Sequence, residues 1–543
     1  MNLKKIKPGY FFVSGLIIRI IYFIINLIIG GHHIDEVMAS LNAVSIADSL
    51  KDISGEKLPV YFDTWVIGGQ SPIATYLSAL TVKLFGFNLF AIRLPMLIVS
   101  VIGFFVFLKL ADLLFTKEEY AFTAKALACV SPWLVFSSAY LLDCNYMAHF
   151  IVIGVYFLVK AVKEKRSVYY PLSMFFFGLC FYSYIASVLI VPFIVGSAYL
   201  ILIIKKRIKI SQIIISAAAL IVTALPFILF GLVVLNVIPE FKLFGFSFSD
   251  MPYYERGESV ALSGSGISAI ILKCIEDLAV SFIMLFAVDS TALGYGLNIF
   301  QFGNLFAGVF LFAGVIKFLF SLFKAKEKKN FDFTQKLVFA ASLAGITAFC
   351  LFVANPKLSV MYRYGTLTYL LIPFEAIGLF EIFKLFKKVD YKKVLAVYLC
   401  LSFILFNAEF FALYRSHTMT TEDYIYGDSL FECIDEAKDK NEKNITVYIG
   451  DERWQTKVAV YARYSFYGEL PFITLEEAHE QRLNGGKTIS DVTEDGSIRI
   501  ADADTENTVT GDFGIVSAYD IDKMNIDGSY TVEQHGVWCT VYK

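Results

Sequence analysis

The chain has 543 residues, 57% of them hydrophobic and only 18% charged, and a formal net charge of −2. That balance, with 53 Phe, excludes a soluble globular protein of this length and points to a polytopic membrane protein. The charge is unevenly divided: Arg415 to Lys543 holds 12 Lys and Arg against 25 Asp and Glu, about −13, which leaves the rest near +11. An acidic tail without a basic patch excludes nucleic acid as a partner.

The first apolar run, Tyr10 to Gly30, is long enough to span a bilayer, which takes about 20 residues. Lys4, Lys5 and Lys7 precede it and place the N-terminus in the cytoplasm by the positive-inside rule. No small-residue cleavage site follows, so the run is read as a retained helix and not a signal peptide. It delivers His32-His33-Ile34-Asp35-Glu36 to the outer face, where ionisable side chains are costly unless they have a partner or a task.

Asp35 to Lys51 has apolar residues at helical spacing and reads as a helix along the membrane surface. After Gly68-Gly69 and Pro72, Ile73 to Phe85 reads as a second short helix. Further spans are expected over 89–115, over 121–142 with a break at Ser131-Pro132, and from the Asp143-Cys144-Asn145 turn to Val162. Two more divide 169–204, and a seventh ends near Asn236. A second external segment covers 239–298, whose half from Ile267 to Val288 carries Lys273, Glu276 and Asp277 and reads as a helix on or dipping into the membrane. Spans over 302–323, 337–353, 364–383 and 394–414 complete eleven. Lys/Arg-rich loops fall on one side of this arrangement, which puts the acidic tail outside.

The tail reads as a small α/β domain, with helices over 430–440, 458–466 and 475–483 and strands over 445–449, 514–518 and 530–542. No nucleotide loop, catalytic triad or repeat is visible in it. None of the eight cysteines shows metal or redox spacing; Cys433 and Cys539 either pair or stay as two free thiols. The expected architecture is therefore an α-helical membrane domain over 1–415, with external loops 31–88 and 237–300, and a soluble extracytoplasmic α/β domain over 416–543.

Four stretches then carry a resemblance. They are His33-Ile34-Asp35-Glu36; Gln70-Ser71-Pro72 through Tyr76 to Lys83-Leu84-Phe85-Gly86 and on to Ala91-Ile92-Arg93-Leu94-Pro95; Leu141-Leu142-Asp143; and Met361-Tyr362-Arg363-Tyr364 leading to Pro373. Their order resembles the C-type membrane glycosyltransferases of the glycosyltransferase-39-like or RgtA/B/C/D-like group, bacterial relatives of protein O-mannosyltransferases and lipid A aminoarabinose transferases. The likeness is best over residues 10–200 and looser to 415. The chain departs from the family's usual pattern in reading Gln70-Ser71-Pro72 where a basic residue and a double proline are common, in lacking an Arg just before Leu141, and in lacking a MIR-type domain.

The resemblance implies transfer of a sugar, hexose or mannose-like, from a polyprenyl-phosphate donor to a glycan, lipid or protein acceptor in the cell envelope, with inversion. Such chemistry needs a base for the acceptor hydroxyl and positive charge for the departing phosphate. Asp35 is the candidate base, with Glu36 and Asp143 as its carboxylate partners; as helix-cap, surface or turn residues they would need no such role. Arg363, Lys83 and Arg93 are the candidates for the donor phosphate, against headgroup snorkelling as the plainer role. His33, Gln70, Tyr76 and Tyr364 would line the cavity. His32, His33 and Asp35 are a candidate divalent-metal set, although adjacent histidines on a helix make poor ligands. The rival functions are a lipid-linked glycan flippase, which would show inverted repeats and mid-span charges, and a non-catalytic scaffold displaying the tail.

Overall fold

A computed structural model describes residues 8–29, 34–52, 55–63, 69–250, 267–286, 306–323, 331–352, 365–386, 390–416, 428–442, 444–450 and 498–543. The membrane part opens with α1 (Pro8–Ile29), α2 (Ile34–Ser49) and a two-strand ribbon of β1 (Phe62–Asp63) and β2 (Gly69–Gln70). Helices α3 (Pro72–Phe85), α4 (Leu89–Leu114), α5 (Glu118–Val130), α6 (Pro132–Phe136), α7 (Asp143–Glu164), α8 (Tyr169–Leu179), α9 (Ser187–Ile204) and α10 (Ile210–Val234) follow. A hairpin of β3 (Phe241–Leu243) and β4 (Phe246–Phe248) precedes α11 (Ile267–Phe286), α12 (Ala307–Phe323), α13 (Phe333–Phe352), α14 (Thr368–Phe383) and α15 (Tyr391–Ser416).

Among the described residues seven helices are long and apolar enough to cross a membrane, or eight if the bent pair α5–α6 counts as one span. The bend is 50° and falls at Ser131-Pro132, because proline lacks the N–H that would continue the ladder and disfavours helical geometry in the residue before it. Three further expected spans are shorter helices: α8 with 11 residues, α12 with 17 and α14 with 16. The chain is thus a multi-pass membrane protein.

Local signals set several boundaries. Pro72 stands at the start of α3, where its missing N–H costs nothing. Gly86 ends that helix at φ +77°, a conformation that a side chain would strain. Asn88 Oδ1 then caps α4 by accepting from the Ala91 N–H at 2.8 Å. The expected surface helix after Asp35 is instead interior: Glu36, Ala39, Ser40, Asn42, Ala43 and Ile46 of α2 are buried, and α2 packs along α3. Small side chains at 39, 40 and 43 let the two helices approach, so the polar positions that suggested a wet face are covered by protein. The two long loops also knit together, with Val60 N–H donating to the Ser247 carbonyl and Ser247 N–H to that of Lys57.

Helices α12 and α14 cross with their backbones touching. A Cβ at Gly314 would strike the Phe374 carbonyl, and one at Gly378 the Phe310 carbonyl. In a bilayer the lipid is as apolar as the side chains, so close backbone approach through small residues takes over as the packing force. Gly378→Ala is therefore expected to destabilise the fold by about 1–3 kcal/mol through overpacking. Thermal unfolding of the purified protein in lipid checks this; an unchanged midpoint would mean that the helices are not in backbone contact.

The tail holds α16 (Asp428–Asp439) and a five-stranded sheet of β5 (Ile445–Ile449), β6 (Ile498–Asp502), β7 (Phe513–Ser517), β8 (Thr531–His535) and β9 (Trp538–Tyr542) in the order β6-β5-β7-β9-β8. The first three strands are parallel, and β9 and β8 run antiparallel to their neighbours. Helix α16 lies against β7, β8 and β9. The expected strand over 514–518 is found shifted by one residue, the stretch over 530–542 folds as a hairpin of two strands, and β6 is an addition to the sequence reading. The helices expected over 458–466 and 475–483 lie outside the described residues. Cys433 and Cys539 are two separate buried thiols, packed as small hydrophobes.

Candidate functional site at the Asp35 end of the bundle

The first turn of α2 carries Asp35 and Glu36. Glu36 is 1% exposed and sits at a node of four chain segments. Its Oε1 accepts from Arg93 Nε at 2.7 Å and from the Leu141 backbone N–H at 3.0 Å, and its Oε2 accepts from Arg93 Nη2 at 2.6 Å. Arg93, on α4 and fully buried, donates its remaining arm, Nη1, to the Asn26 carbonyl near the end of α1 at 2.7 Å, and its guanidinium lies 4.8 Å from the Tyr140 ring centroid. This is a bidentate, charge-assisted pair of the stronger kind. The supporting bonds to Leu141 and Asn26 satisfy the groups that burial would otherwise leave bare.

Two residues beyond Leu141, Asp143 opens α7. Its Oδ1 accepts from the Cys144 N–H at 2.6 Å and its Oδ2 from the Ser71 N–H at 3.2 Å. A carboxylate at a helix N-terminus is favoured by the helix dipole. Here it also fastens the start of α3 to the start of α7. The Tyr61 hydroxyl lies 3.4 Å from Ser71 Oγ, so the first loop closes over the same spot.

Three of the four stretches singled out in the sequence therefore meet here: the end of α1 with the start of α2, the α3–α4 segment, and the Leu141-Leu142-Asp143 turn. The expected role of Arg93 needs correction. Nε, Nη1 and Nη2 are all committed inside the protein, so this guanidinium serves as an internal brace and not as a free phosphate ligand. Lys83 is exposed on the last turn of α3, about 16 Å along that helix from Pro72 at 1.5 Å per residue, and is not gathered with the node. Gln70 is buried in β2 opposite Phe62. The Tyr76 hydroxyl donates to the Pro59 carbonyl at 2.7 Å, and its ring packs 5.2 Å from Phe62, so it holds the first loop in place.

His32, His33, Arg363, Tyr364 and the side chain of Asp35 lie outside the described residues, and with them the expected metal set. Among the described residues, ligand atoms of Glu436, Glu533 and His535 in the tail lie within 4.8 Å of one another. Ion pairing accounts for that grouping: His535 Nε2 is 3.0 Å from Glu436, whose other oxygen takes Lys440 Nζ at 2.7 Å. Sequence reading missed Ser71, Tyr61, Tyr140 and the Leu141 N–H. Two of these four act through the main chain, which no residue type announces.

Residues 69–230 match the family model described as dolichyl-phosphate-mannose-protein mannosyltransferase. The match covers Gln70, Lys83, Arg93 and Asp143 and stops short of Glu36, which Arg93 and Leu141 tie to it. The fold is similar to the crystal structure of ArnT from Cupriavidus metallidurans bound to undecaprenyl phosphate, at a TM-score of 0.55 and 10% identity over 97% of each chain. The chain shares the fold of the C-type membrane glycosyltransferases. A second solved structure, the Archaeoglobus fulgidus oligosaccharyltransferase in complex with Zn and sulfate, is similar at a TM-score of 0.50 and 13% identity, covering 94% of this chain and 68% of that one. No curated protein sequence matches. In this chain both acidic stretches, at 35–36 and at 143, stand at one end of the helix bundle.

Proposed function

We propose that the enzyme moves a sugar from a polyprenyl-phosphate donor to a hydroxyl of a cell-envelope acceptor on the extracytoplasmic face. The observation that carries this reading is the Glu36–Arg93–Leu141 node, which joins the helix bearing Asp35 to the turn bearing Asp143 across more than a hundred residues of chain. In this reading Asp35 takes the acceptor's hydroxyl proton. The resulting oxygen attacks the anomeric carbon, the bond from that carbon to the phosphate oxygen breaks, and the anomeric configuration inverts in one displacement. Polyprenyl phosphate leaves with the electron pair. Arg363 and Lys83 are the candidates to meet its charge, and Glu36 and Arg93 set the position of Asp35. Asp143 orients the loop over the acceptor, and His33, Gln70, Tyr76 and Tyr364 line the cavity.

The same reading places the N-terminus in the cytoplasm, residues 1–415 in the membrane domain and 416–543 outside, where the tail covers the site or presents an acceptor. A divalent metal held by His32, His33 and Asp35 remains part of the proposal. Crystals of a C-type relative with undecaprenyl phosphate support a lipid-phosphate donor.

The test is transfer by the purified full chain in lipid, supplied with radiolabelled polyprenyl-phosphate mannose, glucose or galactose and a crude envelope acceptor, with and without chelator. Label is expected to move to the acceptor from one of the three donors, and loss of transfer in the chelator lane would establish the metal. No transfer from any donor, together with movement of the lipid between leaflets, would replace the enzyme by a flippase.

A further inference from the structure

A second polar cluster lies deep in the bundle and has no part in the chemistry above. Arg19, near the middle of α1, is fully buried. Nη1 donates to the Gly15 carbonyl at 3.1 Å and Nη2 to the Ala128 carbonyl at 3.3 Å, and the guanidinium lies 4.0 Å above the Phe104 ring. Its Nε–H has no partner. Among the described residues the titratable groups acting on it are Tyr369, Cys129 and His149, none of which carries negative charge at neutral pH. Arginine cannot escape by losing its proton.

The neighbours supply more orphan groups. The Tyr369 hydroxyl of α14 stands beside the guanidinium and interacts with it, and its own proton has no acceptor among the described residues. His149 of α7 is 1% exposed, meets the Tyr369 ring edge-on at 5.4 Å, and has no partner on either ring nitrogen. Its ring is seated against bare backbone, since a Cβ at Gly103 would collide with it. Orphan polar atoms this deeply buried call for a water or an ion. A water would satisfy the donors but leave the charge of Arg19 uncompensated in a low-dielectric surrounding, which is the costlier of the two faults.

We propose that Arg19, Tyr369 and His149 together bind a small monovalent anion of halide size in the interior of the helix bundle. Arg19 Nε–H, the Tyr369 hydroxyl and one His149 N–H are the donors, and the guanidinium supplies the charge. The aromatic walls of Phe104, and of Phe107 packed 5.1 Å from Tyr369, favour a compact, weakly hydrated ion over a polyatomic one. Since α1, α7 and α14 each contribute one group, the ion ties these three helices together.

The test uses the full chain in lipid nanodiscs at constant ionic strength, in sodium chloride or sodium gluconate. A bound ligand raises the unfolding midpoint with its concentration, so wild type is expected to melt higher in chloride, progressively with concentration. Arg19→Met is expected to melt alike in both salts. Tyr369→Phe keeps the charge and loses one donor, and should need roughly fivefold more halide for the same effect. Crystals grown in bromide should show anomalous density beside Arg19. Equal wild-type midpoints in the two salts, or equal halide stabilisation of Arg19→Met, would overturn the assignment. If Arg19→Met does not fold, the bromide position decides: density at Arg19 supports the site, and its absence there removes it.

Discussion

Asp35→Asn is expected to lower sugar transfer by about a hundredfold to ten-thousandfold, the usual contribution of a positioned general base. Asparagine matches aspartate in size, and the first turn of α2 loses only a favourable charge at the helix dipole, about 0.3–1 kcal/mol, so the thermal midpoint should stay close to that of wild type. Asp143→Asn is the informative companion. Its carboxylate already accepts two backbone N–H groups, and the amide oxygen of asparagine can keep one of them. The loss of transfer there should be the smaller of the two. Single-turnover transfer with the donor identified above checks both variants. If Asp35→Asn retained full activity while Asp143→Asn did not, the base would have to be reassigned to Asp143.

Breaking the Glu36–Arg93 pair should have the largest effect on stability. Removing one member of a buried ion pair strands the other charge, at a cost of about 3–5 kcal/mol. Glu36→Gln removes the charge that the Arg93 guanidinium pairs with, and Arg93→Met removes the bidentate partner of the Glu36 carboxylate. Both single variants should melt well below wild type. The double variant Glu36→Gln with Arg93→Met buries no unpaired charge and should recover a good part of the loss, giving a measurable coupling energy in a double-mutant cycle. Transfer activity separates positioning from mere stability. If the pair sets where Asp35 stands, the double variant regains its fold but not its rate; a double variant that regains both would reduce the pair to a structural prop.

The membrane architecture was legible because apolar runs, basic loops and proline breaks are local signals. The bend at Ser131-Pro132 and the division of 169–204 both follow from residues inside the segment concerned. The resemblance likewise rests on short local strings, three of which meet at one end of the bundle. Pairings across long separations were not legible. Glu36 and Arg93 looked like an acid for the acceptor and a base for the phosphate, because each is a suitable residue type in a suitable place. Nothing in the sequence across their separation of 57 states that they satisfy each other. The α2 helix misled for a related reason: apolar residues at helical spacing marked only one face for burial, whereas Ser40 Oγ donates to the Glu36 carbonyl at 2.6 Å and Ser40 and Asn42 are also covered by protein. In the tail, Ile498–Asp502 alternates apolar and charged side chains only over Ile498-Arg499-Ile500, too short a run to announce a strand.

The bond from Ser71 to Asp143 sets an unusual limit on what this position accepts. Its donor is the main-chain N–H, so every amino acid but one supplies it, and the serine side chain can be exchanged without touching it. The exception is proline. Ser71 sits at φ −68° and ψ 137°, a conformation that proline adopts without strain. A proline there would fit the existing backbone while deleting the hydrogen that Asp143 accepts, together with the hydroxyl that meets Tyr61. The carboxylate at the head of α7 would then be released from α3 by the smallest change the genetic code allows, since serine and proline codons differ by a single base. At this point in the molecule, the tie between the starts of α3 and α7 depends on whether one backbone nitrogen carries a hydrogen at all.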